Sequence, residues 1–247
     1  MRSGCVQWTT SGPILTKVLF RQIDDSNRGD HSRLSADDNC VFLYEFTAFE
    51  YTNGLGFRFS DTNQLIHNLK KKPSERLTKG GWKYKTMAIQ QCAAALRQAL
   101  NPLWLKSGTI VPVPSSKAQG HPDHDDRLTQ IARLLSTPPS DVREIVKHNH
   151  SHAAAHESNN RPTIEELLAI YEIDEAVANS KPVTSIAIFD DVLTAGTHYR
   201  AMQIKLAARF PGIPIFGMFI ARRAVPPFDA EQFAKQMKAL FGDVEDG

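Results

Sequence analysis

Hydrophobic and polar positions change period along this chain. Residues 13–23 hold Ile14, Leu15, Val18, Leu19 and Phe20 and predict a first strand. Residues 41–49, Val-Phe-Leu-Tyr-Glu-Phe-Thr-Ala-Phe, predict a second, rich in aromatic and β-forming side chains. The stretch 24–39 between them is dominated by Asp, Ser, Asn and Arg and reads as a mobile loop. Together these pieces predict a hairpin with a long connection, a small β hood beside a larger body. From residue 61 the period becomes helical. Asp61 is placed as the N-cap of a helix carrying Leu65, Ile66 and Leu69, which Pro73 stops. Residues 83–100 form the clearest amphipathic pattern, with Met87, Ile89, Cys92, Leu96 and Leu100 on one stripe.

Further along, 109–114 predicts a strand running into a Pro/Ser loop. A helix at 128–135, a short strand at 142–146 and a polar excursion at 148–160 follow. Thr163 caps a brief helix with Glu165 and Glu166 near its positive end. A buried strand (185–189), a helix (196–210), a strand (214–220) and a terminal helix (229–241) complete the series. This alternation predicts an α/β fold with a mainly parallel sheet flanked by helices. Residues 61–247 are expected to form the core and 1–60 the hood.

Composition narrows the class. The chain has 247 residues, enough to bury a sizeable core, and 41% of them are hydrophobic. Lys plus Arg (29) barely exceeds Asp plus Glu (27), so overall charge gives no warrant for a nucleic-acid-binding protein. Three cysteines (Cys5, Cys40, Cys92) without close spacing predict free thiols in a reducing compartment, with Cys92 in the core. No long apolar window predicts a membrane span or a secretory leader. The expectation is a cytoplasmic protein without a membrane partner.

The chemistry concentrates at Ser185-Ile-Ala-Ile-Phe-Asp190-Asp191-Val-Leu-Thr194-Ala195-Gly196-Thr197-His198. An apolar run ends in two acids at the carboxyl end of a strand, where open α/β sheets bind ligands. The hydroxyl- and glycine-containing loop that follows leads into a helix, and such a turn suits a phosphate. The carboxylates of Asp190 and Asp191 suit ribose hydroxyls. The bland alternative is a doubly wound strand with an acidic tip.

This stretch resembles the phosphoribosyl-pyrophosphate (PRPP) motif of the type I phosphoribosyltransferases. The match runs through Asp190, Asp191, Val192, Leu193, Thr194 and Gly196. It departs at Ala195 and His198, where the family usually has hydroxyl side chains. The order of features over 65–221 also resembles the ComF-like branch of that family: His67-Asn-Leu-Lys70, the 83–100 helix, Val111-Pro-Val-Pro114, and the loop from His152 to Arg161. That branch usually carries a four-cysteine zinc module, which this sequence lacks.

The resemblance implies that Asp190 and Asp191 hold the ribose hydroxyls, directly or through Mg²⁺ and water. It implies that Thr194, Ala195, Gly196, Thr197 and His198 hold the 5′-phosphate, with His198 adding a charge-assisted bond when protonated. Ser115, Ser116 and Lys117 would meet the leaving pyrophosphate, and Arg161 would lie on a loop closing over the substrate. The reaction implied is attack of a nitrogen nucleophile at ribose C1 with loss of pyrophosphate. A non-catalytic sensor or effector on the same fold, in DNA uptake or bacterial defence, is the alternative, with residues 1–60 as the surface for a protein partner.

Other clusters have ordinary readings beside functional ones. His148, His150, His152 and His156 have metal-like spacing in a polar loop and read as loop residues facing phosphate, as a metal site or as a solvated loop. Asp123, Asp125 and Asp126, with His121 and His124, precede a helix and read first as caps, then as magnesium ligands. Lys70, Lys71, Lys72, Lys79, Lys83 and Lys85, with Trp82 and Tyr84, read as a solvated helix end or as a track for single-stranded nucleic acid. Arg222 and Arg223 close a strand at the ligand end.

Overall fold

A computed structural model describes residues 18–78, 80–148 and 162–226. The strands are β1 Arg21–Gln22, β2 Cys40–Thr47, β3 Thr109–Pro112, β4 Asp141–Val142, β5 Val146–His148, β6 Tyr171–Ile173, β7 Ile186–Leu193 and β8 Ile215–Ala224. The helices are α1 Asp61–Leu69, α2 Trp82–Ala99, α3 Pro102–Ser107, α4 Arg127–Arg133, α5 Ile164–Ile170, α6 Glu175–Ala178 and α7 Thr197–Arg209. Six strands form one sheet in the order β1-β2-β8-β7-β3-β4, and β5 pairs with β6 apart from it. Within the sheet only the β1–β2 pairing is antiparallel. This is an α/β architecture with a mostly parallel sheet flanked by helices.

The expected hood is not a separate layer. β1 and β2 do form a hairpin pair, but β2 also runs parallel to β8 from Cys40↔Gly217 to Thr47↔Ala224. Its alternating Phe42, Tyr44 and Phe46 gave no sign of a partner other than β1. Pairing with β8 satisfies backbone groups that a two-stranded ribbon would leave to water.

The sheet's two faces are distinguishable by register. Tyr199 of α7 packs edge-on against Phe219, and Trp104 of α3 packs edge-on against Phe216. Positions 216 and 219 differ in parity, so α7 covers one face and α3 the other. Gly217 makes the α7 packing possible: a Cβ there would lie 2.6 Å from the Phe219 ring and 2.8 Å from Cys40 Sγ. β7, the motif strand, is central and its residues 186–189 are fully buried.

Several local expectations change. Ser60, not Asp61, caps α1, its hydroxyl accepting from the Asn63 amide at 3.1 Å. Asn63 then fastens α1 to β2 through both backbone groups of Thr47 (2.7 and 3.2 Å). In α2 Met87 faces water, whereas Lys85 is 2% exposed; the apolar stripe holds Ala88, Ile89, Cys92 and Leu96. The segment expected at 142–146 splits into β4 and β5, because Arg143 turns inward to Asp141, Thr109 and the carbonyls of Ala178 and Lys181. Thr163 and Glu166 form the reciprocal capping box of α5. The terminal helix at 229–241, residues 1–17, Lys79 and the 149–161 loop, with His150, His152, His156 and Arg161, lie outside the described residues. No helix among the described residues is long and apolar enough to cross a membrane.

Candidate functional site

β7 carries Asp190 and Asp191 to the carboxyl edge of the sheet, and β3 delivers the Pro/Ser loop beside them. Pro112 pairs with Phe189, and the Val113 amide donates to the Phe189 carbonyl at 2.9 Å. The chain therefore leaves β3 toward Ser115, Ser116 and Lys117 next to the strand position preceding Asp190. The loop is internally braced: Ser115 Oγ accepts from the Asp125 amide at 3.1 Å, and His124 Nδ1 donates to the Lys117 carbonyl at 2.9 Å. Ser115 and Lys117 line a cavity of about 260 Å³ that extends to Glu144 and Lys147.

The two acids are consecutive residues of a regular strand, so they project to opposite faces. Asp191 turns toward α1 and α4. Its Oδ2 accepts from Arg127 Nε (3.0 Å) and Nη2 (2.6 Å), and Lys70 Nζ lies 3.1 Å from Oδ1. Arg127 Nη1 also donates to Asp125 Oδ2 (2.8 Å), which takes Lys85 Nζ at 2.7 Å. Lys85 fills its other donors with the carbonyls of Leu69 (2.5 Å) and Lys71 (2.9 Å). A continuous chain of charges thus runs Lys85, Asp125, Arg127, Asp191, Lys70. Burial would raise the Asp191 carboxyl, but Lys70 and Arg127 outweigh it and hold the group down near about 2.

Asp190 turns toward α7. Its register partner is Phe219, and Oδ1 accepts from the Asp191 amide at 2.7 Å. Burial, reinforced by the neighbouring Asp191 charge, pushes its carboxyl up to about 7. The sequence reading gave both acids one role; the fold gives them different surroundings and different protonation.

Past Leu193 the chain bends through Thr194, Ala195 and Gly196 into α7. Gly196 is the N-cap at φ +91°, a conformation that favours glycine, and it supplies no side-chain cap. The first-turn amides of Thr197, His198 and Tyr199 have no intrahelical acceptor. Oriented N–H groups at the positive end of a 13-residue helix form an electrostatic seat for an anion. His198 does not act as a cation here. Tyr171 OH lies 2.7 Å from His198 Nδ1, and burial, with His148 nearby, lowers the imidazole to about 4. Burial also raises the Tyr171 phenol, so the phenol and the imidazole meet as two neutral partners of one hydrogen bond.

The polar segment 24–39 is a clamp rather than a loose loop. His31 Nδ1 donates to the Thr194 carbonyl (2.5 Å) and the Arg33 amide to the Ala195 carbonyl (2.8 Å). Arg200 of α7 bonds the Arg33 carbonyl and pairs with Asp38, and Gln203 donates to Asp38 (2.9 Å). Composition suggested mobility because each side chain is polar; their partners are 160 or more residues away in sequence. With its outward carbonyls held by the clamp, the 194–196 loop is fixed against the start of α7.

Lys70, Lys85, Arg127, Tyr171 and His31 were not picked out individually from sequence. The Asp125-Asp126-Arg127 run at a helix start was the available signal for Arg127, and it was read as capping. Asp126 makes no cap bond, while Asp125 accepts from the Arg127 amide at 3.2 Å. Arg222, which closes a strand at the ligand end, is tied to Asp30 and Glu45 (2.7 Å each). Among the described residues no cluster of three or more His, Cys, Asp or Glu has metal-holding geometry. Compared with protein-family models and with curated proteins, the chain matches none.

Proposed function

We propose that the protein binds a phosphorylated pentose, PRPP in particular, at the carboxyl ends of β7 and β3, and transfers its ribose 5-phosphate to a nitrogen nucleophile. The observation that carries this reading is the convergence of Asp190, the uncapped α7 N-terminus and the braced Pro/Ser loop on adjacent parallel strands. In this scheme Asp190 accepts from the ribose hydroxyls, the amides of 196–198 bind the 5′-phosphate, and Ser115, Ser116 and Lys117 receive the pyrophosphate. Asp191 acts at one remove, orienting Arg127 and Lys70 beside the strand end. A magnesium ion fits this donor set as a passenger of the substrate. Asp190 offers one carboxylate, and pyrophosphate and water would supply the remaining oxygens. Bound there, it would neutralise charge on the leaving group.

Titration calorimetry with PRPP and Mg²⁺ should show binding that Asp190→Asn abolishes; unchanged affinity in that variant removes the assignment. Pyrophosphate release with a panel of nucleobases then separates an enzyme from a sensor. One observation favours the sensor: Asp191 is already engaged by Arg127 and Lys70, leaving a single carboxylate for the pentose. A sensor of this kind would signal through residues 1–60, whose described part touches the 194–196 loop directly.

A further inference from the structure

A second cavity, about 720 Å³, opens where β2 ends, bounded by α1, the 49–58 turns and the 70–82 connection. Its volume is in the range of small-molecule sites. Phe46, Phe49, Phe57, His67 and Trp82 line it. Phe57 and His67 are already stacked, centroids 4.6 Å apart at 22°. Phe49 is 69% exposed and Phe57 44%, so two large ring surfaces face water around a concave site. Lys70, Lys71 and Lys72 line the same cavity, against one carboxylate, Glu75. Lys71 Nζ is held by Asn68 at 2.7 Å and Lys70 by Asp191, whereas Lys72 is exposed.

We propose that this cavity binds a mononucleotide, its base stacked on the Phe57–His67 pair and its phosphate on the lysines of 70–72. Aromatic faces beside a compact cationic corner match a ligand that is flat and apolar at one end and anionic at the other. Burial and the Lys71 charge keep His67 neutral, so its ring serves as a stacking surface. The lysines are three consecutive residues at one end of the cavity rather than a stripe, and the whole chain carries only +2, which favours one phosphate group over a polynucleotide backbone. The cavity shares Lys70 with the Asp191 network, while its aromatic wall comes from the end of β2, the 49–58 turns, α1 and Trp82. The proposal does not require PRPP as a ligand, because the aromatic wall and Lys72 take no part in the site proposed for the pentose.

Calorimetry on the full chain tests it with AMP, UMP, adenosine, ribose 5-phosphate and a short oligothymidylate. AMP or UMP should bind, with adenosine and ribose 5-phosphate each at least about tenfold weaker, since each lacks one of the two interactions. Phe57→Ala should weaken AMP by about tenfold and Lys72→Ala by about threefold. Both side chains are exposed, and circular dichroism melts verify that the variants fold. Asp190→Asn should leave AMP affinity unchanged while altering PRPP binding. Ribose 5-phosphate binding as tightly as AMP, AMP affinity untouched by Phe57→Ala, no nucleotide binding by the folded protein, or tighter binding of the oligothymidylate would each overturn the proposal.

Discussion

Asp190 and Asp191 are the same residue type, one peptide apart, yet they inhabit opposite sides of one sheet. On the α1–α4 side Asp191 meets two cations and stays ionised far below neutrality. On the α7 side Asp190 lies beside Phe219, and burial with its neighbour's charge pushes its carboxyl up to about 7. Strand alternation alone separates them, and the difference assigns their work. A carboxylate neutralised by its own protein builds structure; one that titrates near neutrality is available to a ligand.

The comparison breaks most decisively at Arg127. Arg127→Ala strands Asp191 and Asp125 without their shared guanidinium and should destabilise the chain by about 3–5 kcal/mol in urea unfolding. Lys70→Ala touches the same carboxylate from a side chain 47% exposed and should cost less than about 1 kcal/mol. Equal losses would mean that the network is not organised around Arg127.

Gly196→Ala is the next largest. An alanine at φ +91°, with Leu34 Cδ2 3.0 Å from the new Cβ, should lose about 2 kcal/mol and weaken anion binding at α7. A neutral effect on both would remove the loop from the site.

The acid pair also predicts opposite pH responses. The Asp190 carboxyl is raised from 3.8, so the native state holds a proton that the unfolded chain has lost. Stability from this group falls as pH rises from about 4 to about 7. Asp191 is lowered, so its contribution is present above about 4 and is lost as pH falls toward about 2. Binding through the Asp190 carboxylate should strengthen by about tenfold between roughly pH 6 and 8, and Asp190→Asn should flatten that profile. A wild-type binding curve insensitive to pH would contradict the assignment.

Tyr171→Phe tests the α7 side most gently. It removes the hydrogen-bond partner of His198 Nδ1 and should cost about 1 kcal/mol. Heteronuclear NMR of the imidazole should then show a shifted Nδ1 resonance; an unchanged Nδ1 resonance would show that the Tyr171 contact does not set the ring's state.

Much of the parallel core was readable because its signals are local. The apolar run 186–189, the Ala-rich pattern of α2 and the Thr163 capping box each depend on residues within a turn or a strand. The Pro/Ser loop was placed with the acid pair by resemblance, and the parallel pairing of β3 with β7 brings the two together. The cap of α1 was misplaced by one residue, but the larger misreadings are long-range. Segment 24–39 looked loose because Thr194, Ala195 and Arg200 are far off in sequence. Lys85 broke an apolar stripe because its acceptors are Leu69, Lys71 and Asp125. β2 looked like half of an isolated hairpin because β8 lies near the other end of the chain.

The sequence alone determined where the long central elements form, among them β2, α2, β7, α7 and β8, since periodicity is a property of neighbouring residues; it did not show α3, α6 or β6. It also showed two adjacent acids on a central strand ahead of a glycine-containing turn, although the strand continues past them to Leu193. Tertiary structure decided which acid is neutralised, which polar segment braces the turn, and where the aromatic and lysine side chains enclose a cavity. Those outcomes depend on burial and on charges brought within a few ångströms from distant positions, and no local pattern encodes them.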